Sequence, residues 1–224
     1  MPETPWTAVD QYITDLLVAQ DGALDAALVE SAAAGLPAIN VTPSQGKLLQ
    51  LVARIQGARS ILEIGTLGGY STIWLARALP AGGRLVTLEA DARHADVARA
   101  NIARAGLAEI VDLRLGPALD TLPQLAASRR GPFDLIFIDA DKEEIPEYFK
   151  WALELSRAGT VIIVDNVVRK GAVIDAHSPD PGVQGVRRFN KMLAAEPRVC
   201  ATEIQTVGSK GYDGFAMILV TKDA

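Results

Sequence analysis

Cysteine is almost absent from this chain: Cys200 is the single one in 224 residues. It cannot close an internal disulfide, so a reducing cytoplasm is the expected setting. Histidine is nearly as scarce. His94 and His177 are the two present, and with one cysteine they cannot build a zinc site unless carboxylates join them. An excess of basic charge is lacking too. Lys and Arg number 22 against 27 Asp and Glu, a net charge of −5, which argues against nucleic acid as a partner. No run approaches the ~20 apolar residues of a membrane span. Met1-Pro2-Glu3-Thr4-Pro5 has neither the basic start nor the apolar centre of a secretory leader. Three chemical signatures are missing as well: the G-x-S-x-G elbow, the P-loop and the dinucleotide fingerprint G-x-G-x-x-G.

What is present is a large apolar fraction, 49%, enough for a sizeable core. The length fits one domain over 1–224, with a helical cap over 1–58 and a core over 59–224. Residues 7–34 read as helical from the spacing of Val9, Ile13, Leu16, Leu17, Leu24 and Leu28, and Gly35 and Pro37 end the segment. Thr42-Pro43-Ser44-Gln45 reads as a helix start with a capping box. From Ser60 the pattern alternates. Strands are predicted near 60–64, 84–89, 110–115, 133–138, 160–164, 199–206 and 214–221, with helices near 70–79, 91–105, 117–127, 143–157 and 183–195. Continuous runs such as Leu135-Ile136-Phe137-Ile138 suit a parallel sheet covered on both faces. The fold predicted is α/β: a doubly wound, Rossmann-like seven-stranded sheet with an antiparallel last strand, helices on both faces and an N-terminal helical cap. Residues 167–185 are the longest irregular stretch, a loop expected on the substrate side of the molecule.

In such sheets ligands bind outside the carboxyl ends of the strands. Glu63 and Gly65, Glu89, Gly116, Asp139, and Asp165 with Asn166 all fall at or just past predicted strand ends. The string Gly65-Thr66-Leu67-Gly68-Gly69-Tyr70-Ser71 joins a strand to a helix and forms a candidate nucleotide loop. Glu89, about twenty residues on, is placed to receive ribose hydroxyls. Asp139, Asp165 and Asn166 offer oxygen ligands, which suit magnesium, calcium or manganese rather than zinc. Lys142 lies where positive charge opposes a helix N-terminus, an arrangement better explained by a role as base than by solvation. His94 is expected on the surface and Cys200 in the core, while Trp74 and Trp151 fall at packing positions.

ILEIGTLGGYST, VTLEAD, FDLIFIDADK and VIIVDNVV, in that order, resemble the cation-dependent class I O-methyltransferases, the family of caffeoyl-CoA and catechol O-methyltransferases. The resemblance runs from about Asn40 to the terminal GYDGFAMILV and follows the bacterial and plant branch. It implies S-adenosylmethionine as methyl donor and a divalent cation, magnesium first, as cofactor. By matching position it implies Asp139, Asp165 and Asn166 as metal ligands and Lys142 as general base. It further implies Ser71 at the methionine carboxylate beside Gly65 and Thr66, Glu89 at the ribose, Gly116 and Ala118 at the adenine, Val41 over the donor, and Glu63 as the acid of the glycine motif. The implied acceptor is a vicinal aromatic diol of catechol, caffeoyl or flavonoid type, and the implied assembly a homodimer. Ala140 and Asp141 depart from the histidine and aromatic residue of the mammalian catechol enzymes. Arg169, Lys170, Arg187 and Arg188 fall near the long loop, where two readings stay open for each: contact with an anionic substrate tail, such as a coenzyme A phosphate, or a solvated basic face. Two other readings stay open from sequence: a nucleotide-dependent oxidoreductase, and a non-catalytic S-adenosylmethionine-binding protein.

Overall fold

A computed structural model describes residues 5–223; Met1–Thr4, most of the stretch read above for a leader, and Ala224 lie outside the described residues. Three helices lead: α1 (Pro5–Leu17), α2 (Gly22–Ala33) and α3 (Pro43–Gln56). There follow β1 (Ser60–Ile64), α4 (Tyr70–Ala76), β2 (Arg84–Glu89), α5 (Ala92–Arg104), β3 (Val111–Leu115), α6 (Ala118–Ala127), β4 (Leu135–Ile138), α7 (Ile145–Glu154) and β5 (Val161–Asp165). A 3-10 turn at Arg169–Ile174 then precedes α8 (Pro181–Ala195), β6 (Val199–Gly208) and β7 (Gly211–Val220). The seven strands form one sheet in the order β3-β2-β1-β4-β5-β7-β6. The first five are parallel, and β7 runs antiparallel to β5 and to β6.

The switch in strand order between β1 and β4 leaves a crevice at their carboxyl ends. Residues such as Ile61, Leu62, Ile64, Leu135 and Ile136 are fully buried because both faces of the central strands are covered. On one face α7 and α8 meet through Phe149 and Phe189, an edge-to-face pair 5.2 Å apart. On the other, α3 packs on α4. Gly46 makes this possible, since a Cβ there would stand 2.3 Å from the Trp74 ring. The capping box expected at α3 is formed: Gln45 N–H donates to Thr42 Oγ1 at 3.2 Å, and Thr42 N–H to Gln45 Oε1 at 3.0 Å.

Three expectations are corrected. The segment 7–34 is two helices, not one. Asp21 breaks it by accepting from the amides of Ala23 and Leu24, a cap that the unbroken apolar spacing concealed. The stretch 167–185 is largely ordered: it holds the 3-10 turn, and α8 begins at Pro181, with Asp180 as its cap, ahead of the expected 183. Cys200 is exposed rather than in the core, because β6 is an edge strand. No described helix is long and apolar enough to cross a membrane.

Candidate active site

The carboxyl ends of the parallel strands open onto a cavity of about 740 Å³. Its floor starts at Gly65, which has a φ of +101° and no room for a side chain. A Cβ there would fall 2.2 Å from the Asp139 carbonyl oxygen, so any other residue would displace the chain. The glycine turn that follows is tied down at two points. Leu67 N–H donates to Glu89 Oε2 at 2.7 Å, and buried Asn101 donates from Nδ2 to the Gly68 carbonyl at 2.9 Å. Glu89 Oε1 accepts from Asp91 N–H at 3.0 Å, so both oxygens are oriented while the side chain lines the cavity. Val41, Thr66, Ser71, Gly116 and Ala118 also border it.

Glu63 lies under the turn, fully buried, rather than on the cavity wall. Its carboxyl group accepts from Ser71 Oγ at 2.6 Å, from Thr72 Oγ1, and from Thr87 Oγ1 at 2.7 Å. Burial outweighs these three donors and pushes its pKa up to about 7. Thr87 has one hydroxyl proton, spent on Glu63, so in this arrangement the Thr66 hydroxyl, 2.6 Å away, donates to Thr87. Glu63 therefore reaches the cavity through Ser71.

The pairing of Ile138 with Val164 brings Asp139 and Asp165 off adjacent strands at one level. Lys142 Nζ donates to Asp139 Oδ1 at 2.7 Å. Asp165 is 6% exposed, and burial, reinforced by the Asp139 charge, raises its pKa to about 7. Asn166 adopts the left-handed conformation that asparagine tolerates, with φ of 61°, and donates its N–H to Asp165 Oδ1 at 2.8 Å. Among the described residues no three His, Cys, Asp or Glu side chains form a metal cluster. The oxygen set here is two carboxylates and one amide, which could hold a hard cation but offers nothing to a soft one.

Of the four basic residues noted near the long loop, Arg169 alone lines the cavity. Arg187 donates to the Val173 carbonyl, and Arg188 to the Glu143 carbonyl at 3.0 Å. His94, expected on the surface, is on the wall, its Nδ1 3.5 Å from Glu89 Oε1, because α5 starts at the cavity edge. Lys210 is a residue that sequence reasoning missed. It comes from the β6–β7 turn and donates to the carbonyls of Asn40 and Ala38. Nothing local in Gly208-Ser209-Lys210-Gly211 marks it apart from a hairpin turn.

A family model described as O-methyltransferase matches residues 19–219. A catechol O-methyltransferase of Niastella koreensis is 59% identical over 213 residues, covering 95% of this chain and 96% of that protein. The crystal structure of an O-methyltransferase from Bacillus cereus in complex with SAH has a TM-score of 0.95 and 64% identity, covering 96% of this chain and 98% of that one. The O-methyltransferase TomG from Streptomyces achromogenes, involved in tomaymycin synthesis and solved in complex with SAM, has a TM-score of 0.95 and 55% identity, with 99% of each chain covered. With the family matched across most of its length and relatives aligned nearly end to end, the chain belongs to the O-methyltransferase family.

Proposed function

We propose that this protein moves a methyl group from S-adenosylmethionine to one hydroxyl of a vicinal aromatic diol, with a divalent cation held by Asp139, Asp165 and Asn166. The observation that carries the reading is the Lys142–Asp139 contact at 2.7 Å, on the wall of the same cavity that the glycine turn lines. The relatives named catechol O-methyltransferase support the acceptor class, and the SAH- and SAM-bound neighbours support the donor. Family membership removes the oxidoreductase reading. The hard-oxygen donor set fits magnesium best, with calcium or manganese as alternatives.

Donor and cation together supply an electrophilic methyl group and an acidified pair of phenol oxygens. The chain's own residues do the rest. Glu89, fixed by two amides, presents its remaining lone pairs to the ribose hydroxyls. Ser71 faces the methionine end, and Gly116, Ala118 and Val41 form the wall for adenine and cover the donor. Lys142 Nζ, as the neutral amine, receives the proton of the reacting hydroxyl; a lysine and a phenol both titrate at about 10 in water, so little energy separates the two proton positions. Alignment of two bound reactants contributes roughly 7–11 kcal/mol when well oriented. We also infer a homodimer, from the exposed apolar side chains of α1, and a reducing cytoplasmic setting, from the lone free Cys200.

The test is methyl transfer from labelled S-adenosylmethionine to catechol and to a single-hydroxyl control, with magnesium and with excess chelator. Transfer to the diol alone, abolished by chelator and restored by magnesium, is expected. Transfer that survives chelation would leave Asp139, Asp165 and Asn166 a structural cluster. Donor binding with no transfer to any diol would leave a binding protein.

A further inference from the structure

We propose that Arg169 and Lys210 form a cationic pair on the acceptor side of the cavity that selects catechols bearing a carboxylate; this rests on the acceptor class proposed above. Both residues line the cavity, and they reach it from different parts of the chain. Arg169 is held in place from behind. Its N–H and that of Val168 both donate to Asp213 Oδ1 at 3.0 Å, which fixes a left-handed backbone with φ of 55°. The guanidinium itself is under-paired. Its Nε is buried with no hydrogen-bond partner, and Arg169 Nη2 stands 3.8 Å from Asp180 Oδ2, beyond hydrogen-bonding distance. Asp180 meanwhile spends its other oxygen on the amide of Gly182 at 2.7 Å. A buried donor left unmade is costly, and an incoming anion would satisfy it.

Lys210 rests on two neutral carbonyls, those of Asn40 and Ala38, rather than on a carboxylate. Asp139 and Asp165 act on Lys210 through space, and Asp141 on the same wall is hydrogen-bonded: its Oδ2 accepts from the Tyr148 hydroxyl at 2.6 Å, and its Oδ1 from Glu144 N–H at 3.2 Å. Asp139 is paired with Lys142. The guanidinium also lies near Lys142 Cβ, where the side chain of the base begins. Gly182 separates them, since a Cβ there would lie 3.3 Å from Lys142 Cβ and 3.6 Å from Arg169 Nη2.

The experiment compares kcat/KM for caffeate, caffeamide, caffeoyl-CoA, dopamine and unsubstituted catechol in the native protein and in Arg169→Met, Arg169→Lys and Lys210→Met. Caffeate is expected to exceed caffeamide by about tenfold, the worth of one charge-assisted contact, with the difference in KM and dopamine poorest. Each Met variant should cut the caffeate-to-caffeamide ratio severalfold, Arg169→Lys should keep part of it, and added salt should lower it. A native ratio near one, or a ratio unmoved in both Met variants, overturns the proposal. Preference for caffeoyl-CoA over caffeate overturns it too, by assigning the positive charge to a phosphate tail. Turnover of every diol without preference defeats this inference alone, whereas no turnover of any diol, catechol included, defeats the catechol reading itself.

Discussion

Glu63 is a fully buried acid whose pKa is pushed from 4.5 up to about 7, which makes the stability of the fold depend on pH. Between those two values the folded protein keeps a proton that the unfolded chain has released. The unfolding free energy therefore falls as pH rises through this window, by about 3 kcal/mol from this group, and changes no further above it. Glutamine mimics the protonated form and cannot ionise. Glu63→Gln should match the native Tm near pH 4.5 and exceed it increasingly toward pH 7. A difference in Tm that stays constant from pH 5 to 7 would mean that Glu63 is ionised throughout. Lys142 makes a separate prediction at this scale. Its Nζ donates to Asp139 rather than to the glycine turn, so Lys142→Ala should leave the donor dissociation constant near its native value. Turnover should drop by about 10²–10⁴, the usual contribution of a positioned base. Full activity in that variant would remove Lys142 from the reaction.

Helix α8 is set against the Lys142 segment by its glycines, and the two differ in what they permit. A Cβ on Gly185 would stand 2.1 Å from the Lys142 carbonyl oxygen and 2.7 Å from Glu143 Cα, both backbone atoms that cannot swing aside. At Gly182 the nearest contact would be Asp180 Oδ1 at 3.1 Å, a side-chain atom that can give. Gly185→Ala should therefore cost about 1–3 kcal/mol in denaturant unfolding and lower kcat by shifting Lys142, while Gly182→Ala should be close to native in stability. Equal effects of the two would mean that α8 is free to slide. The same region marks where the sequence could and could not be read. Strands β4 and β5 were legible because buried parallel strands leave unbroken apolar runs, Leu135–Ile138 and Val161–Val164. The strand-end positions Gly65, Glu89, Gly116, Asp139 and Asn166 could be set on one cavity wall from the sequence for the same reason, since the topology fixes where those ends lie. The start of α8 at Pro181 and the division of 7–34 at Asp21 depend on single capping carboxylates, which compete weakly with longer periodic patterns. Lys210 and His94 were not legible as wall residues. Lys210 arrives by an approach across 170 positions, and His94 by the angle at which α5 leaves the cavity edge.

At the scale of the whole molecule the cap carries most of the exposed large apolar side chains among the described residues. Helix α1 has no buried residue, and Tyr12, Leu16 and Leu17 are 66%, 64% and 70% exposed. It lies against β6 and α3, and Asp10 Oδ2 accepts from Ser209 N–H at 2.7 Å, so the helix is docked rather than loose. Its neighbours extend the apolar surface: Leu51 and Ile55 are exposed on α3, and Ile204 and Val207 on β6. Exposed apolar side chains on neighbouring elements are the composition of an interaction face, and the unpaired outer edge of β6 needs cover as well. The homodimer proposed above would meet both needs, because a two-fold contact sets the same surface of each partner face to face. Light scattering on the purified protein should give twice the chain mass. Tyr12→Glu with Leu16→Glu alters two exposed side chains that do not line the cavity, so it should yield a folded monomer with an unchanged circular dichroism spectrum. A native protein that scatters as a monomer at micromolar concentration would leave the patch without a partner of its own kind. A double variant that remains dimeric would move the interface off α1.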